Sequence, residues 1–323
     1  MRSRRYLLKK TVHAIATLAF VLTLNFFLFR VMPGDPAKLL ARSKLHLNHQ
    51  QTEALIREFG LDRPLWSQFV HYFPDTLRGH LGVSFVSNRP ITQVVGERIW
   101  PTVLLVGTAT VVATIIGLLI GIRGAWRRGS AFDTGSLLGS LVLYSMPEGW
   151  LGMILLIFFA GALGWFPVQG WESATPSSGL GHFFDVLNHL FLPCMTLVLG
   201  YLGEYAIIMR SSLLEVMGED FITTARAKGV PDRLVRRRHA VPNALLPSLT
   251  LVFYSFGFVL GGSVIVEEVY SWPGLGQLTY QAINSLDYPV IQAIFLLFSA
   301  AVIVFNLFAD VLYGYLDPRV TEA

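Results

Sequence analysis

The sequence predicts an all-helical integral membrane protein, because it is strongly apolar and its apolar residues fall in long runs. Hydrophobic residues make up 53% of the 323 residues and charged residues only 14%, a balance that excludes an ordinary soluble domain. The mean hydropathy is +0.54. Several apolar runs reach the length of about 20 residues that crosses a bilayer. The single cysteine, Cys194, excludes a disulfide framework and a cysteine cluster for zinc.

Six membrane-spanning helices are predicted, at roughly 11–31, 101–122, 134–163, 189–209, 248–267 and 290–313. The first follows a basic stretch and lacks a small-residue cleavage site, so we expect an uncleaved anchor instead of a secretory signal. The third is interrupted by Pro147, Glu148 and Gly149, and its length is compatible with one kinked helix or two short ones.

Charge asymmetry favours a single crossing for the third segment. Lysine and arginine are frequent before residue 11, at 123–128 and in the loop 210–247, whereas 164–188 and 268–289 contain none. The positive-inside rule then assigns both termini and the loop 210–247 to the cytoplasm. A large loop, 33–100, falls outside, and we expect a small folded cap with a helix near 48–59; a mobile polar loop is the alternative.

Small residues recur four apart on the predicted second, third and fifth spans. Within lipid, this spacing lets helix backbones approach closely, so we expect these faces to pack against neighbouring helices. The residues are Ala113, Gly117, Gly121 and Ala125, then Gly135 and Gly139, then Gly257 and Gly261.

The loop 210–247 has the most distinctive pattern in the chain. Asp220 is suited to cap a short helix through Lys228, and Gly229 with Pro231 is a strong stop signal. The small residues Ala225, Ala227 and Gly229 would let a partner approach the backbone, and Arg226 and Lys228 would orient it. By physical chemistry alone, a basic amphipathic loop lying on anionic lipid is an equally good interpretation.

The segment Ala225-Arg226-Ala227-Lys228-Gly229, with RSSLLEV at 210–216 and RHAVPNALLP at 238–247, resembles the cytoplasmic coupling motif of binding-protein-dependent ABC-transporter permeases. The likeness is to the first permease subunit of the oligopeptide, dipeptide and nickel group. Ala225, Gly229 and Pro242 match the general motif, and Thr223, Thr224, His239 and Val241 depart from it in the way usual for the peptide group. Similar segments cover essentially the whole chain, including 60–65, 79–84, 145–147, 165–167, 270–278, 287–289 and 306–319.

This resemblance implies a type I ABC importer permease fold with six transmembrane helices and a large extracellular loop after the first. The regions would be 1–95, the first helix with the extracellular loop; 96–314, a five-helix permease domain; and 315–323, a cytoplasmic tail. The implied location is the bacterial cytoplasmic membrane, multi-pass, with both termini inside.

The implied function is that of a permease subunit in an ATP-driven peptide importer, with oligopeptides favoured. Nickel or another small solute is the alternative cargo, and an ion-coupled secondary transporter is the alternative class. The implied partners are a second homologous permease, two ATP-binding cassette subunits, an external substrate-binding protein and the bilayer, without nucleic acid. The chain would bind no cofactor, ATP being held by the partner subunits, and the sequence has no phosphate-binding loop of its own.

The resemblance makes the segment from Thr223 to Gly229 the docking helix for an ATPase. These residues are Thr223, Thr224, Ala225, Arg226, Ala227, Lys228 and Gly229, with Ala225 and Gly229 permitting close approach. No catalytic or metal-binding residue is expected: hydrolase motifs are missing from the sequence, and His46 and His49 are two isolated histidines in a polar loop.

Two further sets of residues are candidates for the transport pathway. Glu204 lies in an apolar span, where an ionisable group is costly; it could line the pathway and meet a substrate amine, or pair with a neighbouring helix. The family resemblance also implies that Trp272, Pro273 and Gly274 lie at the outer mouth, and the glycines of this segment would give a tight turn. A purely structural turn is the alternative.

Overall fold

The computed structural model describes residues 2–31, 64–173, 175 and 178–316, and this part of the chain is almost wholly helical. The predicted helix near 48–59 lies outside the described residues, as do His46, His49 and the tail from residue 317. The helices are α1 (Arg2–Val31), α2 (Leu65–Leu77), α3 (Ile91–Thr102), α4 (Thr108–Trp126), α5 (Ala131–Ser145), α6 (Glu148–Leu155), α7 (Leu180–Val216), α8 (Asp220–Ala227), α9 (Asp232–Leu234), α10 (Val241–Val259), α11 (Val264–Val269), α12 (Leu275–Asn284) and α13 (Tyr288–Leu316).

Within the described residues, five helices are long and apolar enough to cross a membrane, and a sixth span results if one bent pair counts as a single crossing. The bent pair is α5 with α6 and the π-helical turn Leu156–Ala162 that continues it, and the two arms meet at 101°. The break falls at Met146 and Pro147, because proline lacks an N–H and pushes the preceding residue out of the helical region. The helical membrane fold is thus confirmed, and the third predicted span is broken at its Pro147.

Two predicted spans differ from the helices that contain them. The helix that contains the second predicted span begins at Ile91, since α3, the π-helical turn Val103–Gly107 and α4 form one candidate span of 36 residues, Ile91–Trp126. The non-helical part of the segment 33–100 is correspondingly shorter. The fifth span ends at Val259 instead of 267, where Gly262 adopts a φ of +67°, a left-handed conformation that suits glycine and stops a helix. Pro247 lies inside this span and not before it.

The chain divides into two compact units. One comprises Met1–Thr102, Leu260–Val264 and Pro273–Ala323, and the other comprises Val103–Val259 and Ile265–Trp272. In the first unit, α1 lies along α13, joined by an ion pair between Lys10 Nζ and Asp310 Oδ1 at 2.9 Å. Asn25 Nδ2 donates to the carbonyl of Gln292 at 3.1 Å. Interhelical hydrogen bonds of this kind hold membrane helices together.

In the second unit, α7 is the central helix, and glycines let its neighbours approach it. A Cβ added at Gly117 would lie 2.6 Å from Tyr205 Cβ, and one at Gly121 would lie 2.6 Å from the carbonyl oxygen of Ala206. The predicted close packing on α4 is therefore confirmed. At Gly135 and Gly139 an added Cβ would meet nothing within 4 Å, so the prediction was wrong for α5 within the described chain.

The close approach of α5 to α7 is made by a glycine of α7 itself. A Cβ at Gly203 would clash with the carbonyl oxygen of Ser140. Sequence spacing did not single out this residue, because it belongs to no series of small residues four apart.

Candidate functional site

The short helix α8 lies in the loop that the sequence singled out, and its two ends are formed by local signals. Glu219 occupies the N-cap position without a side-chain hydrogen bond. Asp220 is in the first turn, where its negative charge interacts favourably with the positive end of the helix dipole. The predicted capping role of Asp220 was therefore wrong, because the N-cap position is one residue earlier, at Glu219, and no side chain caps the helix there. At the other end, Gly229 has a φ of +77° and its N–H donates to the carbonyl of Arg226 at 2.9 Å. The predicted stop at Gly229 is confirmed.

One face of α8 is buried in a hydrophobic cluster. Ile222 is fully buried and Ala225 is 8% exposed. The cluster joins α8 to the ends of three longer helices through Ala125 of α4, Met209 and Leu213 of α7, and Ala240 and Ala244 before and within α10, together with Val235. The small helix is thus fixed to the helices that form the unit and cannot move independently of them without losing this contact.

The opposite face of α8 is exposed. The exposed residues of α8 are Asp220, Phe221, Thr223, Thr224, Arg226 and Ala227, and the two residues that follow it, Lys228 and Gly229, are exposed as well. Of the predicted docking residues, only Ala225 turns inward. The small side chain of Ala225 allows close packing within the chain, and its part in docking a partner stays a prediction.

Arg226 is engaged within the chain. Its guanidinium lies over the ring of Trp126 at 5.9 Å, and the guanidinium of Arg236 lies over the same ring at 5.6 Å, within the range of cation–π attraction. Arg226 Nε also lies 3.2 Å from Asp232 Oδ1. This contact orients α8 against α4, and the role of Arg226 in orienting a partner stays a prediction. Sequence reasoning missed Trp126 altogether.

Two polar contacts brace the helices around α8. Arg210 forms a two-point ion pair with Asp133, with Nε 2.6 Å from Oδ1 and Nη2 2.9 Å from Oδ2. Ser212 Oγ donates to the carbonyl of Ala244 at 2.9 Å. These bonds join α7 to the beginning of α5 and of α10, so the loop 210–247 is anchored from several sides.

Glu204, the candidate pathway residue, is half-buried on α7 between the buried Gly203 and Tyr205. A second acid in the same unit escaped the sequence analysis: Glu267 on α11 is fully buried. The sequence does carry a signal for Glu267, because Glu267 and Glu268 stand together at the end of an apolar run. Acidic residues in such runs are rare and costly. Among the described residues, no three His, Cys, Asp or Glu side chains are grouped as a metal site.

The candidate outer-mouth residues are mostly buried. Trp272 is fully buried and packs edge-to-face on Trp171, with ring centroids 6.1 Å apart. Gly274 is buried, Pro273 is half-buried, and Gly274 has a φ of −102°, which any residue adopts. The left-handed residue in this turn is Ser271, with a φ of +49°. The glycine requirement predicted for Gly274 was therefore wrong, and the turn is part of the packed structure.

The chain matches known protein families and a solved transporter structure. Residues 113–322 match the family described as binding-protein-dependent transport system inner membrane component. Residues 3–106 match the N-terminal region of the corresponding membrane components. A solved structure of the MetNI methionine ABC transporter, in an inward-facing conformation, superposes with a TM-score of 0.56 over 70% of this chain and 98% of that chain, at 19% identity. That likeness concerns the fold alone.

Curated relatives match over nearly the full length. The probable peptide ABC transporter permease protein y4tP of Sinorhizobium fredii is 38% identical, with 98% of each chain covered. The glutathione transport system permease protein GsiC of Salmonella choleraesuis is 39% identical, and GsiC of Escherichia coli K12 is 38% identical, again with 98% of each chain covered. The chain therefore belongs to the binding-protein-dependent transport system inner membrane components, the permease subunits of ABC transporters.

Proposed function

We propose that this chain is one permease subunit of an ATP-driven peptide importer and that α8 is its contact with a cytoplasmic ATPase. The observation that carries this proposal is the two-sided character of α8. Ile222 and Ala225 fasten it to the ends of α4, α7 and α10, while Thr223, Thr224 and Lys228 are exposed. A force applied to the exposed face would be transmitted to the membrane-spanning helices through the buried one.

The contact with the ATPase would use the exposed subset of the predicted docking residues. Thr223, Thr224, Ala227 and Lys228 offer small or polar side chains, and Gly229 leaves open space beside its backbone. ATP would be bound and hydrolysed by the partner subunits. Closure of two ATPases would then swing the attached helix ends as rigid bodies and alternate access to the pathway.

The proposed partners are a second homologous permease, two ATP-binding cassette subunits and an external substrate-binding protein. Both termini and the loop 210–247 would be cytoplasmic, which agrees with the excess of lysine and arginine before residue 11 and in the loop. Glu204 is a candidate to line the pathway on α7, where a carboxylate could meet a substrate amine.

The proposed cargo is a peptide. The relatives are named for peptide and for glutathione, and glutathione is itself a tripeptide. The resemblance favours longer oligopeptides over glutathione. The external binding protein and the pathway shared with the second permease would determine which of the two is carried. Nickel or another small solute is the alternative cargo.

The test is reconstitution of the chain in proteoliposomes with the second permease, the ATPases and the binding protein proposed as its partners. We expect uptake that requires ATP and the binding protein, and competition by oligopeptides, with glutathione and nickel as comparison cargoes. Glutathione uptake without oligopeptide competition would narrow the cargo to the tripeptide. Uptake driven by an ion gradient in the absence of ATP would overturn the proposal in favour of a secondary transporter.

A further inference from the structure

Helix α2 carries an exposed apolar stripe. Trp66 is 70% exposed, Val70 is 50% exposed and Leu77 is 64% exposed, and the exposed Pro74 lies between them. The spacing of three or four residues places these side chains on one side of the helix. Exposed polar residues, His71 and Arg78, flank the stripe, so α2 is amphipathic with its apolar side turned outward.

The rest of α2 is fixed to the second half of α1. Tyr72 OH accepts a hydrogen bond from Asn25 Nδ2 at 3.4 Å, and the ring of Tyr72 lies 5.2 Å from that of the fully buried Phe26. The stripe is therefore held in a defined orientation relative to α1, and it does not belong to a loosely attached segment.

Aromatic rings connect the stripe to the outward surface of α1. Phe27 of α1 stacks on Phe69 with centroids 5.7 Å apart, and Phe69 lies 5.6 Å from Trp66. Phe27 belongs to the candidate span Leu8–Phe29, whose exposed side chains include Phe20, Leu24, Phe27 and Leu28. In a bilayer, exposed apolar side chains of a span are expected to face hydrocarbon, and the ring contacts extend this apolar surface from α1 onto α2.

We propose that α2 is an interfacial helix whose stripe, Trp66, Val70, Pro74 and Leu77, is immersed in the membrane surface at the end of α1. An amphipathic helix lies in the interface with its apolar side buried in the boundary between head groups and acyl chains, and tryptophan is enriched at this depth. The partner that covers the stripe is thus lipid. The helix would hold the beginning of the described outer segment against the membrane.

Spin labelling of the assembled transporter in lipid nanodiscs tests this proposal. The single native cysteine makes Cys194→Ser a simple background, into which Trp66→Cys, Val70→Cys and Leu77→Cys are introduced one at a time, with His71→Cys as the control on the same helix. Collision with oxygen, which concentrates in lipid, is compared with collision with a water-soluble nickel chelate. We expect a higher oxygen-to-nickel ratio at the stripe positions than at the control position.

A measurement without labels complements this one. Lipids brominated close to the head group should quench the tryptophan fluorescence of the native chain more than that of Trp66→Phe. Equal quenching of the two proteins would overturn the proposal. So would stripe labels that are as open to the nickel chelate as the control, which would place the stripe in water, or labels closed to both reagents, which would mean that protein covers it.

Discussion

Asp287 is held by Ser84, a residue 203 positions earlier in the chain. Ser84 Oγ donates to Oδ2 of Asp287, and the backbone N–H groups of Phe85 and Val86 donate to the same carboxylate at 3.0 Å and 3.3 Å. Ser84 is 2% exposed and Asp287 is 4% exposed. Both residues belong to segments that carry the family resemblance. The structure shows that these segments contact each other: the segment with Ser84 supplies the donors, and Asp287, which precedes α13, supplies the acceptor.

We expect Asp287→Asn to destabilise the fold, because an amide nitrogen would face buried donors that need an acceptor. Leaving buried donors unsatisfied costs about 1–3 kcal/mol. Ser84→Ala removes the hydroxyl that donates to Asp287 and accepts from the Ser87 N–H at 3.0 Å, but it keeps the carboxylate for the two backbone donors, so it should cost less. Thermal unfolding of the purified chain in detergent measures both, with Glu215→Gln, at an exposed carboxylate, as the control. The assignment fails if Asp287→Asn unfolds at the same temperature as Glu215→Gln.

Gly121 should not tolerate a methyl group. An alanine Cβ there would lie 2.6 Å from the carbonyl oxygen of Ala206 and 2.8 Å from Met209 Cβ, so α4 and α7 would have to separate. Overpacking of this kind costs about 1–3 kcal/mol. The expected result for Gly121→Ala is a lower unfolding temperature and weaker assembly.

The matched control is Gly96→Ala, where an added Cβ meets nothing within 4 Å in the helix α3. There alanine should be neutral or stabilising, since it has the higher helix propensity by roughly 1 kcal/mol. A similar loss of stability in both variants would mean that helix packing at Gly121 is not the cause.

The sequence was sufficient to predict the membrane class, the stop at Gly229 and the close packing at Gly117 and Gly121, because these depend on local composition and on small residues at helical spacing. It could not predict that Ala225 turns inward, since an alanine on an amphipathic helix suits either side. The contact of Arg226 with Trp126 depends on how distant segments fold together. The third span is broken at Pro147 and α10 ends at Val259, ahead of Gly262, although the apolar runs continue. Composition alone does not show which proline or glycine ends a helix.

Trp126 should position α8 for coupling. Its ring receives Arg226 from α8 and Arg236 from the following segment, and each such contact is worth about 0.5–2 kcal/mol depending on its exposure. We expect Trp126→Ala to reduce substrate uptake per ATP hydrolysed in the reconstituted transporter, and Trp126→Phe to retain more of it, because a smaller aromatic ring is kept.

The comparison variant for Trp126 is Trp100→Ala, near the other end of the same continuous helix, where the side chain is 62% exposed. It should leave the ratio of uptake to hydrolysis unchanged. If Trp126→Ala transports with the native ratio, the cation–π contacts are dispensable for coupling, whatever their effect on stability.

Gly229 offers the most direct test of the coupling surface. Its φ of +77° favours glycine, and aspartate is among the residues that enter this region most readily. A side chain there meets nothing within 4 Å, so Gly229→Asp adds a charged group to the exposed end of α8 without an internal clash. The expected backbone strain is about 1–2 kcal/mol, too little to unfold the helical bundle. We therefore expect an assembled complex that hydrolyses ATP but has lost uptake.

Gly79→Asp is the matched control for this variant, because Gly79 has a φ of +80° and equally open surroundings but lies in a different part of the chain. The two substitutions impose the same strain and the same charge, so their difference isolates the position at the end of α8. Normal uptake by a well-expressed Gly229→Asp variant would remove Gly229 from the ATPase contact. Equal loss of uptake in both variants would attribute the effect to strain and not to the surface, because only a contact at α8 distinguishes the two sites.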